Sequence, residues 1–209
     1  MENKKCKICR RLGVKLFLKG ERCLGVKCAM IKRPYAPGQK AKKRRNNLSE
    51  YGKELKEKQK LKNWYNLSEK QFSNYVKSVL DKRSGVKDAG ELLLEQLESR
   101  FDNVVFQMGV VSSRVQARQS INHGFFLLNG RKVNIPSCKI KKGDKITLHP
   151  KASKGTLFSN VKETLKNHRP PSWMRVDIVK LEAEITGQPS LEEMAPPAEI
   201  SSIFEFYSK

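Results

Sequence analysis

Net charge constrains this chain more than any other feature: 43 lysines and arginines stand against 21 acids in 209 residues, leaving +22. So large an excess opposes compaction and is offset by a polyanionic partner, for which nucleic acid is the natural candidate. Its distribution narrows the surface involved. Residues 1–62 carry 21 basic and 5 acidic side chains, 63–169 carry 19 and 9, and 170–209 carry 3 and 7. The polyanion is therefore expected along residues 1–169, with the acidic end packed on protein. An anionic membrane would compete for such a chain, but it needs a spanning segment or a basic helix with a fully apolar face. Neither is visible: the notable apolar run is only Phe125–Leu128, and the opening MENKKCKICRR has no apolar signal core. The expected compartment is the cytoplasm.

In that reducing compartment cysteines are expected as thiols or metal ligands, not disulfides. Four of the five fall as Cys6-x2-Cys9-x13-Cys23-x4-Cys28. Two close pairs separated by a loop let four thiolates converge on one structural Zn²⁺, so Cys6, Cys9, Cys23 and Cys28 are the candidate ligands of one zinc per chain. Eleven basic side chains and a single acid, Glu21, lie between Lys4 and Arg33, a setting that favours thiolates and an anionic metal centre. A catalytic zinc would bring in histidine or carboxylate, and His123, His149 and His168 all lie far along the chain. Cys138 is expected as a small, partly buried side chain.

Residues 32–47 read as an irregular basic arm whose Lys40, Lys42, Lys43, Arg44 and Arg45 are candidate RNA contacts. From Ser49 to Lys62 the pattern turns helical. Tyr51 and Leu55 are placed on a packing side, with Lys53, Lys56 and Lys60 on a side that could face phosphate or simply solvent. Ser68-x-x-Gln71 reads as a capping box opening a helix with Phe72, Tyr75, Val76, Val79 and Leu80 on one face. Ser84-Gly85 marks its end. The series Leu93, Leu97, Phe101, Val104, Val105, Met108 keeps helical period up to a stop at Gly109, and one kinked helix or two short ones are equally allowed.

Ser113-x-x-Gln116 opens a further helix in which Ala117 and Ile121 pack while Arg114, Arg118 and Asn122 line a polar face. Phe125–Leu128, the Asn129-Gly130 turn and Val133–Ile135 form a β-hairpin with Arg131 and Lys132 just past its tip, and Ile146–Leu148 gives a third strand. Residues 149–169 are weakly helical through Leu157, Val161 and Leu165. The terminal IFEFYSK alternates like a strand or an extended docked tail.

Several long motifs in order, SEYGKELKEKQKLKNWYNLSEKQFSNY (49–75), LESRFDNVVFQMG (97–109), SRVQARQSINHG…LLNGRKVNIPS (113–137) and EFYSK, together with CKICRRLGVKLFLKGERC…CAM at 6–30, resemble the bacterial small-subunit ribosomal protein S-four family in its zinc-type N-terminal variant. Asn66, where that family commonly has glycine, the 149–169 stretch and Ser201-Ser202 depart from its pattern. The resemblance implies an α+β fold with three parts. They are a zinc-knuckle-like N-terminus and basic arm (1–45), a mainly helical lobe (46–96 with 170–209), and an inserted small α/β RNA-binding domain of two helices, a hairpin and a further strand (97–169).

It also implies direct binding to small-subunit rRNA at a multi-helix junction, a role early in subunit assembly and in decoding accuracy, and a place near the mRNA entrance beside proteins S-three and S-five. Arg114, Arg118, Asn129, Gly130, Arg131 and Lys132 match the family's RNA-facing motif, and Tyr51…Gln59-Lys60 a further RNA-facing helix.

An enzyme is the first rival, since the same small RNA-binding fold accompanies pseudouridine synthases and tyrosyl-tRNA synthetases, and Arg100-Phe101-Asp102 echoes a synthase-like Arg-Leu-Asp. No length remains for a catalytic domain, and no phosphate loop, Ser/His/Asp set or carboxylate pair stands out. Asp102 is expected to cap a helix. A zinc-dependent regulator of mRNA off the ribosome is the second rival.

Overall fold

A computed structural model describes residues 4–38, 47–81, 88–153, 155–158, 161–166, 168–189 and 191–208. The Lys40–Arg45 cluster and Ser84-Gly85 lie outside the described residues. The chain divides into two compact units, Met1–Leu93 with Ala195–Lys209, and Leu94–Met194.

In the first unit, α1 (Lys4–Leu12), α2 (Glu21–Leu24) and α3 (Ala29–Lys32) tie an N-terminal knot over a small core of Cys9, Leu12, Leu16 and Leu18. The hydroxyl of Ser49 accepts from Gly52 N at 3.2 Å and opens α4 (Glu50–Trp64). That helix ends with Asn66 at φ 55, Asn66 N bonded to Asn63 O and Leu67 N to Lys62 O. These two bonds are a left-handed C-terminal cap, and they give Asn66 the conformation a glycine would take. The Ser68 capping box forms in full at the start of α5 (Glu69–Leu80), which buries Phe72, Val76 and Val79.

The apolar series from Leu93 resolves into two helices, α6 (Ala89–Glu98) and α7 (Phe101–Gln107). Between them Arg100 is extended, because the chain there pairs like a strand. Ile140 N donates to Ser99 O, Phe101 N donates to Cys138 O, and Arg100 bridges Lys139. Gly109, at φ 80, ends α7, and the His168 ring occupies the space a Cβ there would need. Helix α8 (Arg114–Asn122) starts as expected, with Ser113 Oγ accepting from Gln116 N, although the Gln116 side chain reaches back to Ser112 and not to Ser113.

Five antiparallel strands follow: β1 (Phe126–Leu128), β2 (Arg131–Lys132), β3 (Lys145–Leu148), β4 (Met174–Asp177) and β5 (Glu182–Ile185), in the order β2-β1-β3-β5-β4. Asn129 and Gly130, at φ 50 and 78, make the hairpin turn, so Leu128 pairs with Arg131 and Leu127 with Lys132. The second strand is thus Arg131–Lys132 and not Val133–Ile135: a two-residue turn brings the residues immediately after it into register. Between β3 and β4 lie α9 (Pro150–Ser153), a 3₁₀ turn (Thr156–Phe158) and α10 (Val161–Lys166). Here Phe158, not Leu157, joins Val161 and Leu165 in the core.

The 170–209 segment does not return whole to the helical lobe. β4 and β5 complete the sheet, with Ile146 opposite Ala183, and α11 (Leu191–Met194) closes the second unit. Ala183 and Ile185 are buried and alternate with the less buried Glu182 and Glu184. The acidic content of this segment masked a period-two strand.

The tail ends as a helix and not a strand, α12 (Ile200–Ser208), burying Ile203 and Phe204. It packs on α4 through Lys58, whose Nζ lies 4.3 Å from the Phe206 ring centre and donates to Glu69 Oε1 at 2.7 Å. Tyr207 OH donates to the same Glu69 oxygen at 3.1 Å. Burial alone would raise the Glu69 carboxyl pKa, but hydrogen bonds from Lys58 and Lys62 outweigh it and hold the group down to about 2. Burial and the Glu69 charge push the Tyr207 phenol up. The buried stripe of α4 is therefore Glu54, Lys58 and Leu61, while Tyr51, expected on the packing side, meets the Phe206 ring at 5.4 Å between centres yet stays 58% exposed.

Candidate nucleic-acid interface

The second unit organises its cations around buried polar side chains. Arg100 is 2% exposed and grips Asp102 through two bonds, Nε to Oδ1 at 3.0 Å and a terminal amine to Oδ2 at 2.8 Å. Asp102, itself buried and in the first turn of α7, also faces Arg118 Nε at 3.5 Å. One residue on, Asn103 accepts from Arg114 Nε at 2.7 Å and donates to Glu98, which accepts from Gln107 as well. The Arg114 guanidinium lies 4.5 Å from the Phe106 ring centre. The Arg-Phe-Asp triplet is thus a structural ion pair, and Asp102 does not cap the helix: the cap position belongs to Arg100.

This network sets the direction of the α8 face. Arg114 and Arg118 are half-buried and held from α7, Asn122 at the end of the same face is exposed, and Ala117 and Ile121 are buried opposite. Two guanidinium groups held in place by Asp102 and Asn103 lose less side-chain entropy on meeting a phosphate than two free ones. The hairpin tip is fastened in a similar way. Asn129 donates to Asp144 Oδ1 at 2.8 Å and accepts from Lys145 N at 2.9 Å, locking the turn while Arg131 and Lys132 stay exposed. The polar face of α8 and the hairpin thus belong to one unit with a shared core.

The α4 lysines divide. Lys53 is exposed and Lys56 half-buried, but Lys60 pairs with Glu57 at 2.5 Å and its side chain is only 14% exposed. An i,i+3 carboxylate therefore shares the charge that the sequence had offered to phosphate.

The N-terminal knot adds cations that motif reading had passed over. A cleft of about 840 Å³ is lined by Lys7, Arg10, Arg22, Lys27, Lys32 and Arg33, with Glu21 its one acid and Cys6 on its wall. Arg10 is fixed by donating to Tyr35 O at 2.9 Å and lying over that ring. The local excess of eleven cations over one acid was the available signal. In the second unit Lys139, Lys141 and Lys142, all exposed, were likewise missed, although they stand as a short basic run.

All five cysteines are thiols, with Cys9, Cys23 and Cys28 buried and Cys6 and Cys138 half-buried. Burial raises the Cys9 pKa, a backbone bond with Leu16 works against it, and Cys23, Cys6 and Cys28 raise it further. Cys23, Cys6 and Cys28 thus lie near enough to Cys9 to act on it. Among the described residues no group of three or more His, Cys, Asp or Glu stands ready to hold a metal ion. No helix there is long and apolar enough to cross a membrane.

Two family models and several relatives match this chain. Residues 1–98 match the model of the ribosomal protein S4/S9 N-terminal domain, and residues 99–146 that of the S4 domain. The chain is 45% identical over 204 residues to small ribosomal subunit protein uS4A of Alkaliphilus metalliredigens, covering 98% of this chain and 96% of that one. It is 42% identical over 204 residues, with the same coverage, to uS4 of Natranaerobius thermophilus and to uS4 of Thermus thermophilus.

The buried ion pair makes a direct prediction. Asp102→Asn leaves the Arg100 guanidinium in the core without its counter-charge and is expected to lower stability by about 3 kcal/mol. Urea unfolding measures this, and an unchanged midpoint would show that the pair does not hold α7 in place.

Proposed function

The chain belongs to the family of small ribosomal subunit protein uS4, and from that premise we propose that it binds folded small-subunit rRNA through the α8 face and hairpin tip of its second unit and the basic cleft of its first. It is a structural ribosomal protein, not an enzyme, and it works on the ribosome in the cytoplasm. The observation that carries the site reading is the holding of Arg114 and Arg118 by Asn103, Phe106 and Asp102, in the unit that also exposes Arg131 and Lys132. Cations held at fixed spacing favour RNA of one shape, because A-form grooves hide base edges and leave backbone and 2′-hydroxyls to be read. Phosphate neutralisation supplies affinity and counterion release supplies salt dependence.

The residues assigned to RNA are Arg114, Arg118, Asn122, Arg131, Lys132, Lys53 and Lys56, with Lys40, Lys42, Lys43, Arg44 and Arg45 of the arm. Lys60 enters as a secondary contact, because Glu57 shares its charge. Roles in early subunit assembly and decoding accuracy, proteins S-three and S-five as neighbours, and contact with mRNA near its entrance belong to the same proposal.

The second part of the proposal is a structural zinc on Cys6, Cys9, Cys23 and Cys28. It is supported by the spacing, by the influence of Cys23, Cys6 and Cys28 on Cys9 and by the excess of cations around them. Metal binding would draw the four sulfurs together and close the knot, supplying a cross-link that its small core lacks.

Two measurements test these readings. Affinity for folded small-subunit rRNA should fall steeply with salt and exceed that for random RNA of equal length, whereas equal binding to both would remove the specific claim. Metal analysis of the purified chain should find about one Zn²⁺, and finding none would remove the quartet.

A further inference from the structure

At the junction of α8 and β1 an aromatic column runs from the core to solvent. Phe158 meets Phe126 edge-on at 6.1 Å and Phe125 edge-on at 5.9 Å between ring centres. Phe125 in turn stacks on His123 at 5.5 Å with 25° between the ring planes. Phe158 is buried, Phe125 half-buried and His123 exposed, so the last ring of the column meets water.

Its backbone is fixed. His123 is the C-terminal cap of α8, its N–H bonded to Gln119 O at 3.1 Å, and Gly124 N donates to Ile121 O at 2.7 Å. The surroundings are cationic and polar: Asn122 precedes it on the RNA-facing side of α8, and the Lys132 side chain lies across Gly124. An exposed ring contributes little to the core, yet this one is already oriented, and the Lys132 side chain lies over the glycine that follows it.

We propose that His123 is a stacking platform for one unpaired base of the RNA, with Lys132 taking the adjoining phosphate. The inference rests on the rRNA reading above and adds to it a residue and a mode of contact. Phosphate contacts alone cannot distinguish a looped-out nucleotide from a paired one. A flat ring beside a cation does so, because only an unstacked base can offer its face. The ring needs no ordering on binding, since Phe125 already holds it. The cationic neighbourhood favours a nucleotide over an apolar protein segment.

The test compares the full chain with His123→Ala and His123→Tyr on the same folded small-subunit rRNA. His123→Ala should weaken binding on the order of 5- to 100-fold, the range for loss of one base–aromatic stack. His123→Tyr, which keeps a flat ring, should bind like the original chain. Melting curves of all three should coincide. Chemical probing should find an unpaired base protected by the original and by the tyrosine variant but reactive with the alanine variant. Alanine binding as tightly as histidine would overturn the proposal, and so would tyrosine losing as much as alanine. If the original chain bound no folded rRNA at all, the rRNA reading itself would fall, a result distinct from either.

Discussion

The second unit depends on a buried charge. Arg100 sits in the core with 2% of its surface exposed, and a guanidinium there is tolerable only when paired and hydrogen-bonded. Asp102 supplies that partner from the next turn of chain, which requires Arg100 to lie outside the helix while Asp102 lies inside it. The break between α6 and α7 follows, and with it the strand-like pairing of residues 99–101 with 138–140. The same carboxylate and its neighbour Asn103 hold Arg118 and Arg114, so one electrostatic requirement fixes both a helix boundary and the direction of a cationic face. Charge that would otherwise oppose folding is thereby put to use in orientation.

The first unit meets a related requirement at Lys58 and Glu69. A buried lysine on α4 pairs with a half-exposed glutamate on α5 and lies against two aromatic rings of α12, drawing the end of the chain onto two consecutive helices. In both units, therefore, basic side chains are components of the core as well as of the exposed surface. Counting cations alone overstates the surface available to phosphate, as Lys58 and Lys60 demonstrate.

What the sequence made legible was local. The Ser68 capping box, the Asn129-Gly130 turn and the stop at Gly109 depend on residues within a few positions of one another, and each formed where expected. What it hid was non-local or doubly patterned. IFEFYSK satisfies alternation and helical spacing at once, and only packing against α4 selects the helix. Residues 174–185 read as acidic tail because charge was weighed over a long window, while the alternation that places Ala183 and Ile185 in the sheet spans only four residues. At the candidate site Arg114, Arg118, Arg131 and Lys132 were visible from helix period and hairpin position. The partners that orient the arginines were not, since Asp102 and Asn103 gave no sign of facing α8. His123 went unread because a histidine two residues before an apolar run looks like an ordinary cap.

Membership in the uS4 family leads to one central statement: the chain is a protein of the small ribosomal subunit. Sucrose-gradient fractionation of cell lysate, with quantification of this chain against small-subunit rRNA across the fractions, tests it most directly. One copy per small subunit is expected, co-sedimenting with that particle and with whole ribosomes. A pool found chiefly in the free fractions at the top of the gradient would contradict it.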